Sequence, residues 1–203
     1  EFNKNEDTDF HQMVADMASI PRKQAKTINL VLFYGMGNKK LAAELGLDSD
    51  QAYELFNKYH DKVPFVKELS RQVSHVASTR GYIKTLLGRK RRFDMWEPRD
   101  SWGERAYSLS EAHSQYPKQE LKRAYTHTAM NALIQGSSAD ITKSAMIKIY
   151  EAGLLDEIDL KLTVHDELDF SVEPLKQKCF DESLQIMKTC VDLKVPLKVD
   201  VEK

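Results

Sequence analysis

The sequence predicts an α+β fold: a helical lobe, then a basic hairpin, then a small antiparallel sheet backed by long helices. Three observations carry that expectation. Apolar residues recur at helical spacing in successive segments before residue 80. A run rich in Arg and Lys is punctuated by glycine between Gly81 and Phe93. Strand-like alternation around two long helical patterns closes the chain.

Helices are expected at residues 10–18, 20–34, 38–46, 49–61 and 64–79, the last opened by Pro64, whose fixed φ suits a first helical turn. Gly46 and Val63-Pro64 supply the breaks between them. From Tyr82 to Arg92 the residues read as two short strands around a glycine turn. Residues 94–117 mix Trp, Pro, Asp, Ser and Gly without period and read as an ordered excursion or a loop. A long helix is expected from about Lys118 to Ala152, with Gly136 as its weak point. Asp159–Val164 and Leu168–Val172 pattern as a hairpin joined through His165-Asp166-Glu167. Pro174 to Asp192 reads as an amphipathic helix, and Pro196–Val201 alternates as a final strand.

With 203 residues, 41% hydrophobic and 30% charged, the chain can bury a core as one large domain or two small lobes. The net charge of -1 conceals a segregation of sign. Met17 to Ala43 holds five basic residues and no acid, and Arg80 to Arg92 holds six more with none. Such patches suit a surface that follows an anionic polymer. No apolar run approaches the roughly 20 residues of a membrane span, and the first residues have no signal-peptide character, so the expectation is a soluble, cytoplasmic protein with no membrane partner. Cys179 and Cys190 lie eleven residues apart in one expected helix, about 16 Å by helical rise, and are expected to be reduced core thiols.

Three segments carry chemistry. In Pro21–Gly35, Arg22, Lys26, Leu30 and Tyr34 recur every four residues and form a stripe roughly 18 Å long. Its cations sit at the helix N-terminus, where the dipole also favours an anion, and its apolar and aromatic members follow. A nucleoside triphosphate has the same order of phosphate, sugar and base, although a solvated basic face would show a similar pattern. Val164-His165-Asp166-Glu167 places adjacent carboxylates at a bend where a hard cation could reach them, although a solvated turn would show the same residues. His127, Asn131 and Gln135 recur at four-residue steps in the expected long helix, so their side chains can share a face and meet minor-groove acceptors.

The stripe R-x-x-x-K-x-x-x-L-x-x-x-Y-G resembles the nucleotide-binding fingers helix of family A DNA polymerases, the class of bacterial DNA polymerase I and many phage replicases. Val164–Glu167 resembles that family's V-H-D-E palm motif, whose Asp is one of two that hold the catalytic metals. Asn131–Ile141 is similar to its N-x-x-x-Q-G-x-x-A-D-I pattern, with His127 where bacterial enzymes carry Arg. Asp9-Phe10-His11 resembles the D-x-H element whose His reaches the triphosphate, and Gly81–Arg91 resembles the G-Y-x-x-T-x-x-G-R-x-R stretch near the template and primer backbones.

The resemblance implies fingers helices in residues 1–80, a basic hairpin and extended loop in 81–117, and palm in 118–203. It implies template-directed DNA synthesis by nucleotidyl transfer from a dNTP to a primer 3′-hydroxyl. Nucleotide would be held by His11, Arg22, Lys26, Leu30 and Tyr34. Primer-template DNA would be held by Arg89, Lys90, Arg91, Arg92, His127, Asn131, Gln135 and His165. Asp166, Glu167 and Lys26 would be catalytic, with Asp166 the ligand of Mg2+ and Lys26 a proton donor to leaving pyrophosphate.

Two departures stand out. The family's D-Y-S-x-x-E palm motif, which carries the other metal-binding Asp, has no counterpart in the sequence. The expectation is therefore a fragment, or one subunit of a split polymerase, that is inactive alone and needs a second polypeptide or an N-terminal segment bearing that motif. Leu30 stands where bacterial enzymes usually place Phe or Tyr against the sugar. Two other readings remain open at this stage: a non-catalytic primer-template-binding subunit, and a fragment of a single-subunit RNA polymerase, which shares a helix of similar R/K/YG logic.

Overall fold

The computed structural model describes residues 4–5, 8–33, 38–100 and 103–202. It contains two compact units, Asp9–Ile134, and Gln135–Lys203 together with Glu1–Thr8. The division falls inside a helix, whereas the sequence reading divides the chain after residues 80 and 117.

The first unit opens with α1 (Phe10–Ala18), α2 (Arg22–Phe33), α3 (Asn38–Leu45), α4 (Ser49–Lys62) and α5 (Pro64–Arg80). Each start has a local cause. Asp9 caps α1 by accepting from the backbone N–H groups of His11 and Gln12. Asp48 and Gln51 form a reciprocal capping box on α4, and Pro64 opens α5. Val14, Ala15, Ala25, Ile28, Leu41, Tyr59, Val63 and Val66 form the core between these helices, from the faces that the apolar spacing singles out. Each large side chain among them contributes about 1.5–3 kcal/mol by leaving water.

Gly81 ends α5 at φ 76°, in the left-handed region where glycine is favoured. The chain then turns back as β1 (Tyr82–Lys84) and β2 (Lys90–Arg92), antiparallel with Ile83 opposite Arg91. Ile83 and Phe93 pack on Val73 and Ala77 of α5, so the basic ribbon is anchored through its apolar face.

Residues 94–117 hold more structure than their composition suggests. Trp96–Pro98 (β3) pairs antiparallel with Leu121–Arg123 (β4), and Leu109–Gln115 forms α6 behind a Ser108–Glu111 capping box. The expected helix from Lys118 is therefore corrected: its first eleven residues include a strand and a single 3-10 turn but no α-helix, and α7 runs over Ala129–Glu151. Tyr125, at φ 60°, cannot continue a right-handed helix. Gly136 interrupts nothing, and α7 passes through it unbroken.

In the second unit, β5 (Asp159–Val164) and β6 (Glu167–Ser171) form a hairpin, followed by α8 (Gln177–Thr189). Phe170 meets Phe180 of α8 edge-on at 6.1 Å, and Ser144 of α7 donates to the carbonyl of Cys190 at 3.0 Å. Cys179 and Cys190 are both free thiols, Cys190 buried just beyond α8. The strand expected over Pro196–Val201 does not form among the described residues. Residues 198–202 instead line a cavity of about 850 Å³ together with the hairpin and Phe180, Leu184 and Met187. The small sheet expected here is thus a two-stranded hairpin; the described residues contain three such ladders. The helical content and antiparallel ladders together make the chain α+β. No helix among the described residues is long and apolar enough to cross a membrane.

Candidate functional site

The N-terminus of α2 and the cap of α1 meet at a cluster of charge. Arg22, Lys26 and Leu30 lie exposed along one stripe of α2, while Ala25, Ile28 and Asn29 are fully buried on its other side. The alternation fixes the helix rotation, because only one face can enter the core. Tyr34, the fourth member of the expected stripe, lies outside the described residues.

Asp9 binds the cluster together. Its carboxylate accepts from the backbone of His11 at 2.8 Å and of Gln12 at 3.0 Å, and from Nε of Arg22 at 2.7 Å. The Gln12 N–H first, and the Arg22 guanidinium next, hold the Asp9 carboxyl below its usual range. His11 follows two residues later, half-buried; burial first, then Arg22 and Lys26, push its imidazole pKa down against the opposing pull of the Asp9 carboxylate. The imidazole is therefore kept neutral beside two cations, poised to donate from one ring nitrogen rather than to act as a third charge.

Two residues of this cluster escape the sequence reading. Asn29, fully buried, has its amide nitrogen 3.0 Å from Nδ1 of His11, and its amide oxygen accepts from the hydroxyl of Tyr59 at 2.5 Å. Burial pushes the Tyr59 phenol up to about 12, so it stays a donor. A sequence signal exists for Asn29: it shares the buried i, i+3, i+4 spacing with Ala25 and Ile28, where a polar residue needs a partner.

The basic hairpin presents Arg89, Lys90, Arg91 and Arg92, all exposed. Two of them are braced on aromatic rings: Lys90 lies 4.9 Å from the centre of Tyr82, and Arg91 lies 5.4 Å from that of Phe93. His127 departs from its expected place. It sits in a 3-10 turn at Thr126–Thr128 that leads directly into α7, while Asn131 and Gln135 lie within α7. Asn131, in α7, is half-buried with its side-chain oxygen shielded from solvent and without a hydrogen-bond partner among the described residues, while Gln135 is exposed.

In the second unit, Val164 pairs with Glu167, leaving His165 and Asp166 as a two-residue hairpin turn. His165 takes φ 55°, a left-handed conformation costing roughly 1–2 kcal/mol for a residue with a Cβ, which the β5–β6 ladder holds in place. His165, Asp166 and Glu167 are all exposed. The carboxylates offer hard oxygen ligands that suit Mg2+, but no group of three or more His, Cys, Asp or Glu side chains able to hold a metal occurs among the described residues. The turn thus fits one side of a divalent site.

Comparison with known proteins places these features in a lineage. The sequence pattern of DNA polymerase family A matches residues 2–203. The chain belongs to DNA polymerase family A. Among its relatives, this family A chain is 37% identical to the DNA-directed DNA polymerase of Pseudomonas phage M6, with 99% of the chain and 31% of that protein covered. It is 34% identical to DNA polymerase I of Caldicellulosiruptor bescii, covering 94% of the chain and 21% of the relative. Among solved structures it resembles the POL domain of Pol1 from M. smegmatis, in complex with DNA primer-template and dNTP. There the TM-score is 0.74 at 30% identity, covering 96% of this chain and 33% of that one. The family A chain spans about a third or less of the length of these relatives.

Proposed function

We propose that this chain supplies the nucleotide-binding helix, part of the DNA-binding surface and one metal-binding carboxylate of a polymerase that adds deoxynucleotides to a primer 3′-hydroxyl. The exposed Arg22–Lys26–Leu30 stripe beside the neutral His11 carries the reading. Arg22 and Lys26 bind triphosphate oxygens, His11 donates a neutral hydrogen bond, Leu30 borders the sugar and Tyr34 the base. Lys26, the cation further along the stripe, serves as the proton donor to departing pyrophosphate. Arg89, Lys90, Arg91 and Arg92 hold template and primer phosphates without reading sequence, and His127, Asn131, Gln135 and His165 line the duplex. Asp166, with Glu167 beside it, would hold Mg2+. Bound there, the metal would offset charge on the attacking and leaving oxygens.

Asp166 and Glu167 have no third His, Cys, Asp or Glu beside them with which to hold a metal among the described residues. We therefore place the other carboxylate on a further segment or a second polypeptide carrying a D-Y-S-x-x-E motif, with the chain alone inactive. The bacterial and phage relatives support a cytoplasmic setting in a bacterial or phage-infected cell.

The test reconstitutes the chain with a family A palm segment bearing that motif and measures Mg2+-dependent incorporation of template-matched nucleotides. Arg22→Ala and Lys26→Ala should each raise the dNTP concentration at half-maximal rate by roughly ten- to a hundredfold, as expected for losing a charged hydrogen bond. Deoxynucleotides should be used in preference to ribonucleotides. Unchanged nucleotide dependence in both variants would return the helix to a solvated basic face.

A further inference from the structure

Within the fingers-like helices, one buried polar chain crosses three elements that otherwise meet through apolar contact. Tyr59 of α4 and Asn29 of α2 are both fully buried, among Ile28, Val14 and Leu41, where an unpaired amide or phenol would be costly. They pair with each other, and the amide passes the connection on to Nδ1 of His11 on α1. Packing alone would be served by an aliphatic side chain at position 29. The amide is retained at a place where its remaining hydrogen-bonding group faces an imidazole at the edge of the charged cluster.

The direction of the chain follows from counting protons. The Tyr59 hydroxyl hydrogen needs an acceptor, and the Asn29 oxygen provides it. The Asn29 nitrogen is then turned to His11, and because it can only donate, Nδ1 must be the bare, accepting nitrogen. Reversing the amide would present a donor to Tyr59 and deprive the buried phenol proton of that acceptor. The ring proton of neutral His11 therefore resides on Nε2. Protonating the ring would set Nδ1–H against the Asn29 N–H groups.

We propose that Asn29 and Tyr59 are positioning residues for His11, locking its imidazole in the neutral Nε2–H form so that it donates a hydrogen bond to a bound triphosphate. The functional half of this rests on the reading of the α2 stripe as a triphosphate site; the lock itself stands on the geometry. The charged and titratable groups facing His11 agree with it. Arg22 and Lys26 from α2 oppose a charged ring, Asp9 at the α1 cap favours one but is engaged by Arg22, and α4 contributes the neutral Tyr59. His60, next to Tyr59, meets the Phe56 ring edge-on at 4.3 Å and the Tyr59 ring edge-on at 5.7 Å.

Histidine-selective 15N NMR on the full chain, with His11→Gln to assign the resonance, tests the lock. The wild type should show the Nε2–H tautomer. Tyr59→Phe keeps the ring but frees the Asn29 oxygen to turn toward Nδ1–H, so the His11 midpoint should rise by up to about one pH unit. Asn29→Asp should raise it further, by about one to three units, since a carboxylate accepts from Nδ1–H. Tyr59→Phe leaves the core volume nearly unchanged and remains informative if the buried aspartate does not fold. A wild-type Nδ1–H tautomer, or a midpoint unmoved by Tyr59→Phe, overturns the proposal.

Added dATP supplies the second readout. It should shift the His11 Nε2 resonance in the wild type and bind Tyr59→Phe between about two- and tenfold more weakly. A lock that holds without nucleotide while dATP leaves His11 untouched would refute the triphosphate role of the stripe and the positioning role with it. That failure is distinct from failure of the lock, which shows before any nucleotide is added.

Discussion

Replacing Gly81 by alanine should loosen the anchor of the basic hairpin through one identifiable collision. Gly81 sits at φ 76°, and a Cβ built there falls 2.6 Å from Cζ of Arg123 and within 2.9 Å of both terminal nitrogens. A flexible side chain would ordinarily swing aside, but this guanidinium is held on two sides. It donates to the carbonyl of Phe93 at 2.9 Å and lies 4.5 Å from the centre of the Trp96 ring. The left-handed backbone costs alanine about 1–2 kcal/mol. Displacing the guanidinium forfeits a charged hydrogen bond of about 1.5 kcal/mol or more and a cation–π contact of about 0.5–1 kcal/mol. The expected loss is thus about 3–4 kcal/mol, of which about 2 kcal/mol depends on Arg123. Urea unfolding of Gly81→Ala, Arg123→Ala and the double variant isolates that coupling. In the Arg123→Ala background the glycine substitution should cost only the backbone strain. Equal costs in both backgrounds would refute the wall that Arg123 is argued to form.

Other outcomes follow from the same geometry. His11 and His60 both titrate below the ordinary histidine value, burial being the first cause for each. The unfolded chain therefore takes up protons near pH 6.5 that the folded chain resists. Stability should be complete above that pH and decline as pH falls toward the lowered values. Urea midpoints at pH 7.5 and 5.5 measure this, and equal midpoints would contradict it; the depressed carboxyls Asp9, Glu68 and Glu111 act only at lower pH. Replacing Arg89, Lys90, Arg91 and Arg92 together by alanine should flatten the salt dependence of primer-template affinity by about three to four in log–log slope, since each phosphate contact contributes about 0.9. An unaltered slope by fluorescence anisotropy would place the DNA elsewhere. Leu30→Tyr, at a position 39% exposed on the stripe, should relax discrimination against dideoxynucleotides in the reconstituted enzyme. Competition between deoxy and dideoxy substrates reads the effect, and identical selectivity would show that Leu30 does not face the sugar.

The helices of the first eighty residues were legible because local signals agreed there: apolar spacing, Asp48 with Gln51, Pro64 and Gly81 all point to the same boundaries. The β3–β4 ribbon was not. Its three residue pairs join segments over twenty residues apart, and Trp96 on Arg123 is a non-local contact with no periodicity to betray it. Local pattern therefore favoured a helix from Lys118 that the left-handed Tyr125 forbids. Alternation over Pro196–Val201 announced a strand but could not supply the neighbour to pair with. At the candidate site, Arg22, Lys26 and Asp166 are singled out by spacing and motif. Asn29 and Tyr59 are not: the buried spacing of Asn29 signals only that its amide needs a partner, and which partner depends on a contact across three helices.

The central claim is that this chain provides a working half of a polymerase metal site. In the chain reconstituted with a D-Y-S-x-x-E palm segment, single-turnover incorporation of a template-matched dNTP should fall by orders of magnitude on Asp166→Asn. Primer-template affinity should hardly change, because a ligand of the reacting centre acts on the chemical step. Glu167→Gln should cost less. Near-normal turnover in Asp166→Asn, with DNA bound as in the wild type, would contradict the claim.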